Sequence, residues 1–209
     1  EEFALKKTQI SFMTYPNLTN LLLKKFNAND HINFLDVGGE KIDFYLNLKK
    51  NFKKINYYLF NQRSMNKTFY EIKHKYNFKE LNNIEEEDEI FKFNYDFVNF
   101  GSCIQYFENY ETLLQKITKI SKFVFFSGTH LYNSSNDKFE KNIIVKQVNL
   151  LPQIYYLYFF NRKKLFEIFL EKNFMLTFEN QNLTDNVNYD NFKSYLKNIQ
   201  YSDFLFEKK

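Results

Sequence analysis

All four glycines of this 209-residue chain follow short, largely apolar runs of the kind that form buried strands. Gly38 and Gly39 follow residues 32–37, Gly101 follows residues 95–100, and Gly128 lies just beyond residues 123–126. Glycine permits positive φ and lets the backbone approach a ligand closely. In an open α/β sheet, ligands bind beyond the carboxyl ends of the strands. The glycines therefore predict a ligand site at one sheet edge. Tight strand-to-helix turns alone would also need them, and no complete Gly-x-Gly-x-x-Gly motif is present.

Polar side chains accompany these glycines at the same strand ends. They are Asp36, Asn61, Gln62, Asn99, Ser102, Thr129 and His130. A histidine beside a ligand has an ordinary pKa suited to general-base catalysis, so His130 is the candidate base. A structural or surface-loop role for His130 stays open as an alternative. We expect His31 and His74 to be structural or solvated.

Apolar runs alternate with segments of helical periodicity. Predicted strands cover residues 32–37, 55–60, 78–84, 95–100, 123–126, 174–178 and 203–206, and predicted helices cover residues 44–52, 66–76, 110–120, 162–172 and 192–199. Residues 85–89 are predicted to form an acidic loop, and residues 127–129 a turn that ends the fifth strand. Such alternation is typical of parallel strands with helices on both faces. It predicts an α/β fold with a Rossmann-like, doubly wound sheet.

The composition fits one domain with a substantial core, since 44% of the residues are hydrophobic and 21% are aromatic. No internal repeat or linker divides the sequence, so we expect a single domain over residues 1–209. Residues 1–30 are predicted to be an N-terminal helical extension. Residues 132–160 interrupt the alternation and are predicted to be an insertion over an acceptor site, with the aromatic run 154–160 as either core or lid.

Several classes of protein and site are disfavoured by the residue counts. One cysteine allows no internal disulfide framework, and three histidines with one cysteine leave no Cys-rich zinc site. No metal is expected at the acidic run 85–89, because consecutive carboxylates usually form a solvated face. No apolar run approaches the ~18 residues of a membrane span. The start, Glu1-Glu2-Phe3, lacks the character of a signal peptide, so we expect a cytoplasmic location.

The net charge of +4 is mild, and the lysine pairs are spread along the chain instead of forming one tract. Nucleic-acid binding requires basic residues clustered on one face. We therefore expect no nucleic-acid partner.

Three features together resemble a known family. Strand-Asp-x-Gly-Gly at Asp36–Gly39, a second strand about twenty residues on, and Asp-Phe-Val-x-x-Gly-Ser-x-x-Gln-Tyr at residues 96–106 look like a class I S-adenosylmethionine-dependent methyltransferase. More narrowly, with Gln147 before the aromatic segment 155–160, the pattern resembles methyltransferases of surface-polysaccharide gene clusters. The resemblance covers most of residues 30–180. It implies a seven-stranded sheet whose last strand is antiparallel. The strands predicted at 174–178 and 203–206 would be the sixth and seventh strands of that sheet.

The resemblance also implies roles for individual residues. The cofactor S-adenosylmethionine would be held by Asp36, Gly38, Gly39, Asn61, Gln62, Asn99, Gly101 and Ser102. A sugar or small-molecule acceptor would be bound by Tyr106, Thr129, Gln147 and Tyr155, and His130 would remove the proton of its hydroxyl group. The implied activity is O-methylation in cell-surface glycan biosynthesis.

Two other functions remain open. The family's third turn glycine is Glu40 here, and the acidic residue that usually holds the ribose is replaced by Asn61-Gln62. These departures favour a methyltransferase fold that binds a partner without catalysis. An RNA methyltransferase is the other alternative, although the sequence lacks an Asn-Pro-Pro-Tyr-type motif.

Overall fold

The computed structural model describes residues 16–39, 42–133, 141–148, 154–181 and 199–209, without the side chains of residues 16 and 63–66. Its helices are α1 (Pro16–Lys25), α2 (Ile42–Asn51), α3 (Arg63–Tyr76), α4 (Glu87–Ile90), α5 (Tyr110–Ile120) and α6 (Arg162–Leu170), and a 3₁₀ turn covers Ile104–Tyr106. Its strands are β1 (His31–Val37), β2 (Lys54–Phe60), β3 (Leu81–Ile84), β4 (Tyr95–Gly101), β5 (Ser121–Tyr132), β6 (Ile143–Gln147), β7 (Tyr155–Asn161), β8 (Phe174–Gln181) and β9 (Ile199–Lys208).

The chain divides into two compact units, with the boundary between Phe97 and Val98 inside β4. In the first unit, β1 pairs in parallel with β2, and β2 pairs in parallel with β3. The Phe34 ring in β1 lies 5.3 Å from the Tyr57 ring and 5.6 Å from the Phe97 ring, stacked on both. Buried aromatic stacks of this kind contribute beyond their buried area, so they fix the alignment of these strands.

In the second unit, β9 runs antiparallel to β5, and β8 runs antiparallel to β9. The Phe126 ring in β5 stacks on Phe100 of β4 at 5.1 Å and on Phe204 of β9 at 4.7 Å. The end of β5 pairs in parallel with β7, and β7 forms an antiparallel pair with β6.

The strand order is β3-β2-β1-β4-β5-β7-β6, with β9 paired to both β5 and β8. The predicted fold class is confirmed, since the sheet is mostly parallel and its last strands are antiparallel. Among the described residues the sheet has nine strands, where seven were expected. The two additional strands, β6 and β7, come from the predicted insertion, residues 132–160, because its apolar and aromatic residues pair as a hairpin.

Four local predictions need correction or fall, wholly or in part, outside the described residues. The predicted turn at residues 127–129 lies inside β5, which continues to Tyr132 through a shift in register between Phe126 and Thr129. The predicted acidic loop ends in the short helix α4. Residues 182–198, which contain almost all of the helix predicted at 192–199, lie outside the described residues, as do residues 1–15 of the N-terminal extension.

The single-domain organisation stays a prediction. No helix in the described part of the chain is both long and apolar enough to cross a membrane. Within the same residues, no group of three or more histidine, cysteine, aspartate or glutamate side chains is arranged to hold a metal ion.

Candidate functional site

The predicted glycine turn after β1 is fastened to the end of β2. Gly38 has a φ of +77°, which favours glycine, and its N–H donates a hydrogen bond to the Phe60 carbonyl at 2.8 Å. The Asn61 side-chain amide donates to the Gly39 carbonyl at 2.6 Å, and its Oδ1 accepts from the Gln62 N–H at 2.7 Å. The turn therefore has a fixed position relative to β2.

Asp36 lies beneath this turn. Its side chain is 1% exposed and accepts a hydrogen bond from the Tyr57 hydroxyl. A Cβ at residue 39 would lie 2.6 Å from Asp36 Cγ and 3.0 Å from Leu59 Cδ1, which is too close for an ordinary contact. Gly39 is required here because its backbone passes directly over the buried carboxylate.

These contacts separate the roles of the predicted residues. Asn61 holds the turn by its hydrogen bond to the Gly39 carbonyl, and Asp36 lies buried beneath the turn. The Gln62 side chain is exposed at the N-terminus of α3 and makes no capping hydrogen bond there. Asn61 and Gln62 stand where the resembled family usually has a ribose-binding acid. The exposed side chain of the two is that of Gln62.

In the second unit, Ser102 directly follows β4 and has a φ of +53°. Its N–H and its hydroxyl donate to the Ser127 carbonyl at 3.1 and 3.3 Å. The left-handed residue of the predicted turn is Ser102 and not Gly101. A non-glycine residue in this region is strained, and such strain is concentrated at functional sites. Asn99, also a predicted site residue, is fully buried within β4.

Gln105 supports this turn from the 3₁₀ segment. Its side chain is 3% exposed, and Nε2 donates to the Ser102 carbonyl at 2.7 Å. Its Oε1 is buried without a hydrogen-bond partner among the described residues. A buried acceptor of this kind is costly unless a ligand or water supplies a donor or a positive charge.

Gly128 lies at the shift of register in β5 with a φ of +53°. Its N–H donates to Asp203 Oδ1 of β9 at 2.9 Å. A Cβ at this position would collide with the Ser102 hydroxyl and with the Tyr201 hydroxyl of β9. The two hydroxyl oxygens lie 3.5 Å apart. The absence of a side chain at Gly128 therefore lets Ser102 and Tyr201 approach each other.

His130 lies within β5, not beyond its end as predicted. Its ring stacks on Phe159 with 4.6 Å between centroids and packs edge-on against Tyr201 at 4.9 Å. Burial lowers the pKa of His130 to about 4, so the imidazole is neutral at pH 7. Its Nδ1 is buried and has no hydrogen-bond partner in the described part of the chain.

Three residues predicted to bind an acceptor come together. The Tyr106 hydroxyl donates to Gln147 Oε1 at 3.0 Å, and the Tyr106 ring packs edge-on against Tyr155 at 6.0 Å. Burial raises the pKa of Tyr106, and the nearby Tyr201 and Tyr155 phenols raise it further. Tyr106 is 44% exposed, as suits a binding surface. Thr129, the fourth predicted residue, does not join them: it is fully buried, and its hydroxyl donates to the Ser127 carbonyl at 3.4 Å.

Sequence reasoning missed Tyr201 and Gln105 as site residues. Gln105 belongs to the Gly-Ser-x-x-Gln-Tyr segment, so that segment already contained the signal for it. Tyr201 lies between a predicted helix and a predicted strand, and no motif in the sequence marks it as a site residue. Its place depends on the antiparallel pairing of β9 with β5, which aligns Tyr201 with His130.

No protein family model matches the sequence, and no curated protein matches it. Solved structures do resemble it. The N-terminal domain of EvdMO1, crystallised in the presence of S-adenosylhomocysteine (SAH) and D-fucose, has a TM-score of 0.65 and 11% identity, covering 94% of this chain and 85% of that chain. Residues 961–1257 of StiE O-MT give a TM-score of 0.62 and 11% identity, covering 92% and 73% of the two chains.

A further similar structure is an S-adenosylmethionine-dependent methyltransferase from Clostridium acetobutylicum. Its TM-score is 0.57 at 8% identity, over 91% of this chain and 89% of that chain. At such low identities the similarity establishes the fold alone. The chain has the fold of class I S-adenosylmethionine-dependent methyltransferases.

Proposed function

We propose that this protein is an S-adenosylmethionine-dependent methyltransferase that methylates a hydroxyl group of a sugar or small molecule in cell-surface glycan biosynthesis. The observation that carries the proposal is the Gly38–Gly39 turn, which is held against β2 and passes over the buried Asp36. A fixed glycine turn at the carboxyl end of a first parallel strand is suited to close approach of a cofactor. The similar structures crystallised with SAH support this assignment.

Each unit, taken by itself, offers groups suited to a cofactor. In the first unit, the Gly39 backbone lies where a side chain would not fit, and Gln62 offers an exposed amide for ribose hydroxyls. In the second unit, Asn99, Gly101 and Ser102 are the proposed contacts, and the unpartnered Gln105 Oε1 lies on the residue that supports Ser102. When bound, S-adenosylmethionine supplies an electrophilic methyl group.

The proposed acceptor surface is formed by Tyr106, Gln147 and Tyr155. Aromatic faces with a few polar groups are typical of sites that bind and orient small ligands. The surface offers two phenols and an amide, which suits an acceptor with several hydroxyl groups. The structure of the EvdMO1 domain obtained with D-fucose supports a sugar.

His130 is the proposed acceptor of the hydroxyl proton. Its imidazole is neutral at pH 7, and the buried Nδ1 has no partner among the described residues, so it is able to accept a proton. The low pKa makes it a weak base, and we therefore assign most of the rate acceleration to positioning. We place this activity in the cytoplasm, because a single cysteine fits a reducing compartment.

The test is methyl transfer from radiolabelled S-adenosylmethionine to a panel of monosaccharides and nucleotide-linked sugars, D-fucose among them, with RNA as a separate acceptor. We expect acceptor-dependent formation of SAH with the wild type and none with Gly38→Val. Binding of SAH without transfer to any acceptor would favour a non-catalytic binding protein. Transfer to RNA would contradict the sugar assignment.

A further inference from the structure

We propose that the Tyr201 hydroxyl recognises the sulfonium of S-adenosylmethionine, and so lets the protein distinguish this cofactor from SAH. The inference rests on the proposed function and deepens it, because it assigns a residue that the sequence did not suggest. Its basis is the group formed by Ser102, Gln105, Gly128 and Tyr201 in the second unit.

The position of Tyr201 is the first argument. Its hydroxyl lies 3.5 Å from that of Ser102, the residue directly after β4. Tyr201 itself lies near the beginning of the antiparallel strand β9. The beginning of an antiparallel strand lies at the same sheet edge as the ends of its parallel neighbours. Ligands in open α/β sheets bind at that edge.

The construction around Gly128 is the second argument. Tyr201 and Asp203 are two residues apart on β9, so they share one face of the strand. Asp203 Oδ1 accepts a hydrogen bond from the Gly128 N–H at 2.9 Å. The Tyr201 hydroxyl occupies the space that a side chain at residue 128 would fill. The shift in register in β5 thus places this hydroxyl beside Ser102.

The chemistry of the surroundings is the third argument. A sulfonium is a permanent cation that donates no strong hydrogen bond, so oxygen lone pairs and aromatic faces are its favourable neighbours. The Ser102 turn is supported by Gln105, whose buried Oε1 has no partner among the described residues. His130 packs on the Tyr201 ring and is neutral at pH 7, so it does not repel a cation. SAH carries an uncharged thioether and would gain little from these groups.

The test is a calorimetric comparison of S-adenosylmethionine and SAH binding to wild type, Tyr201→Phe and Tyr158→Phe. Tyr158 is the matched control, because its hydroxyl only approaches the Glu108 carbonyl at 3.5 Å and its ring packs on Tyr110 and Phe160. We expect Tyr201→Phe to weaken S-adenosylmethionine binding about fivefold and to change SAH binding less than twofold. Tyr158→Phe should change neither. Equal weakening of both ligands, or no change in either, would overturn the proposal.

A spectroscopic measurement covers the case in which Tyr201→Phe does not fold. 3-Fluorotyrosine incorporated at residue 201 should give different ¹⁹F resonances in the S-adenosylmethionine and SAH complexes, and the same label at residue 158 should not. Identical resonances at residue 201 would overturn the proposal. If the wild type binds neither ligand, the proposed function fails and this inference fails with it. If both ligands bind without involving Tyr201, the proposed function stands.

Discussion

The Tyr57 hydroxyl of β2 donates a hydrogen bond to the carboxylate of Asp36, a residue of β1 that is 1% exposed and lies beneath the glycine turn. A buried carboxylate requires donors, because its desolvation is costly without them. We therefore expect the Tyr57–Asp36 hydrogen bond to stabilise both the fold of the first unit and the conformation of the proposed cofactor turn.

Tyr57→Phe removes this donor and keeps the ring. We expect the free energy of unfolding to fall by about 1–3 kcal/mol, the usual cost of removing one partner from a buried hydrogen bond. Urea denaturation measures this change. Tyr58→Phe is the matched control on the same strand, since Tyr58 packs on Phe93 and Tyr95 on the other face. Equal losses in the two variants would show that the hydroxyl–carboxylate bond has no special role.

Asn61→Ala and Gln62→Ala should differ in their effects. The Asn61 side chain donates a hydrogen bond to the Gly39 carbonyl at 2.6 Å. Its loss should lower thermal stability and weaken SAH binding about fivefold. Gln62 has an exposed side chain, so its replacement should lower SAH affinity only. Calorimetric titration and thermal melting of the same samples measure both quantities. A Gln62→Ala variant with unchanged affinity would remove Gln62 from the proposed ribose contacts.

His130 should make stability depend on pH. Burial lowers its pKa from 6.5 to about 4, so between these values the unfolded state binds more protons than the folded state. The free energy of unfolding should therefore fall as the pH decreases from 6.5 to 4, by up to about 3 kcal/mol from this residue. His130→Gln should flatten this dependence. Parallel pH profiles for wild type and His130→Gln would contradict this assignment.

Much of the sheet was predictable from the sequence, because buried strands such as residues 32–37 and 95–100 are short apolar runs that end at glycine. The glycine turn at Gly38–Gly39 followed from the same pattern, and its φ of +77° at Gly38 agrees with it. These features are local, so local sequence determines them.

The features that the sequence did not reveal depend on long-range pairing. Ser127-Gly128-Thr129 has the composition of a turn, yet β5 continues through it because β9 pairs with both of its halves. That continuation buries Thr129 and places His130 in an aromatic stack instead of a loop. It also brings Tyr201 to Ser102, a contact between residues almost a hundred positions apart.

The most direct test of the central claim is calorimetric titration with SAH of the wild type, Gly38→Val and Asn77→Val. Residue 77 is the matched control, since it has a comparable φ of +52° at the C-terminus of α3, away from the glycine turn. We expect micromolar binding by the wild type and by Asn77→Val, and no binding by Gly38→Val, because valine is strained at positive φ and fills the turn. Absence of wild-type binding up to millimolar SAH, or unchanged binding by Gly38→Val, would contradict the account.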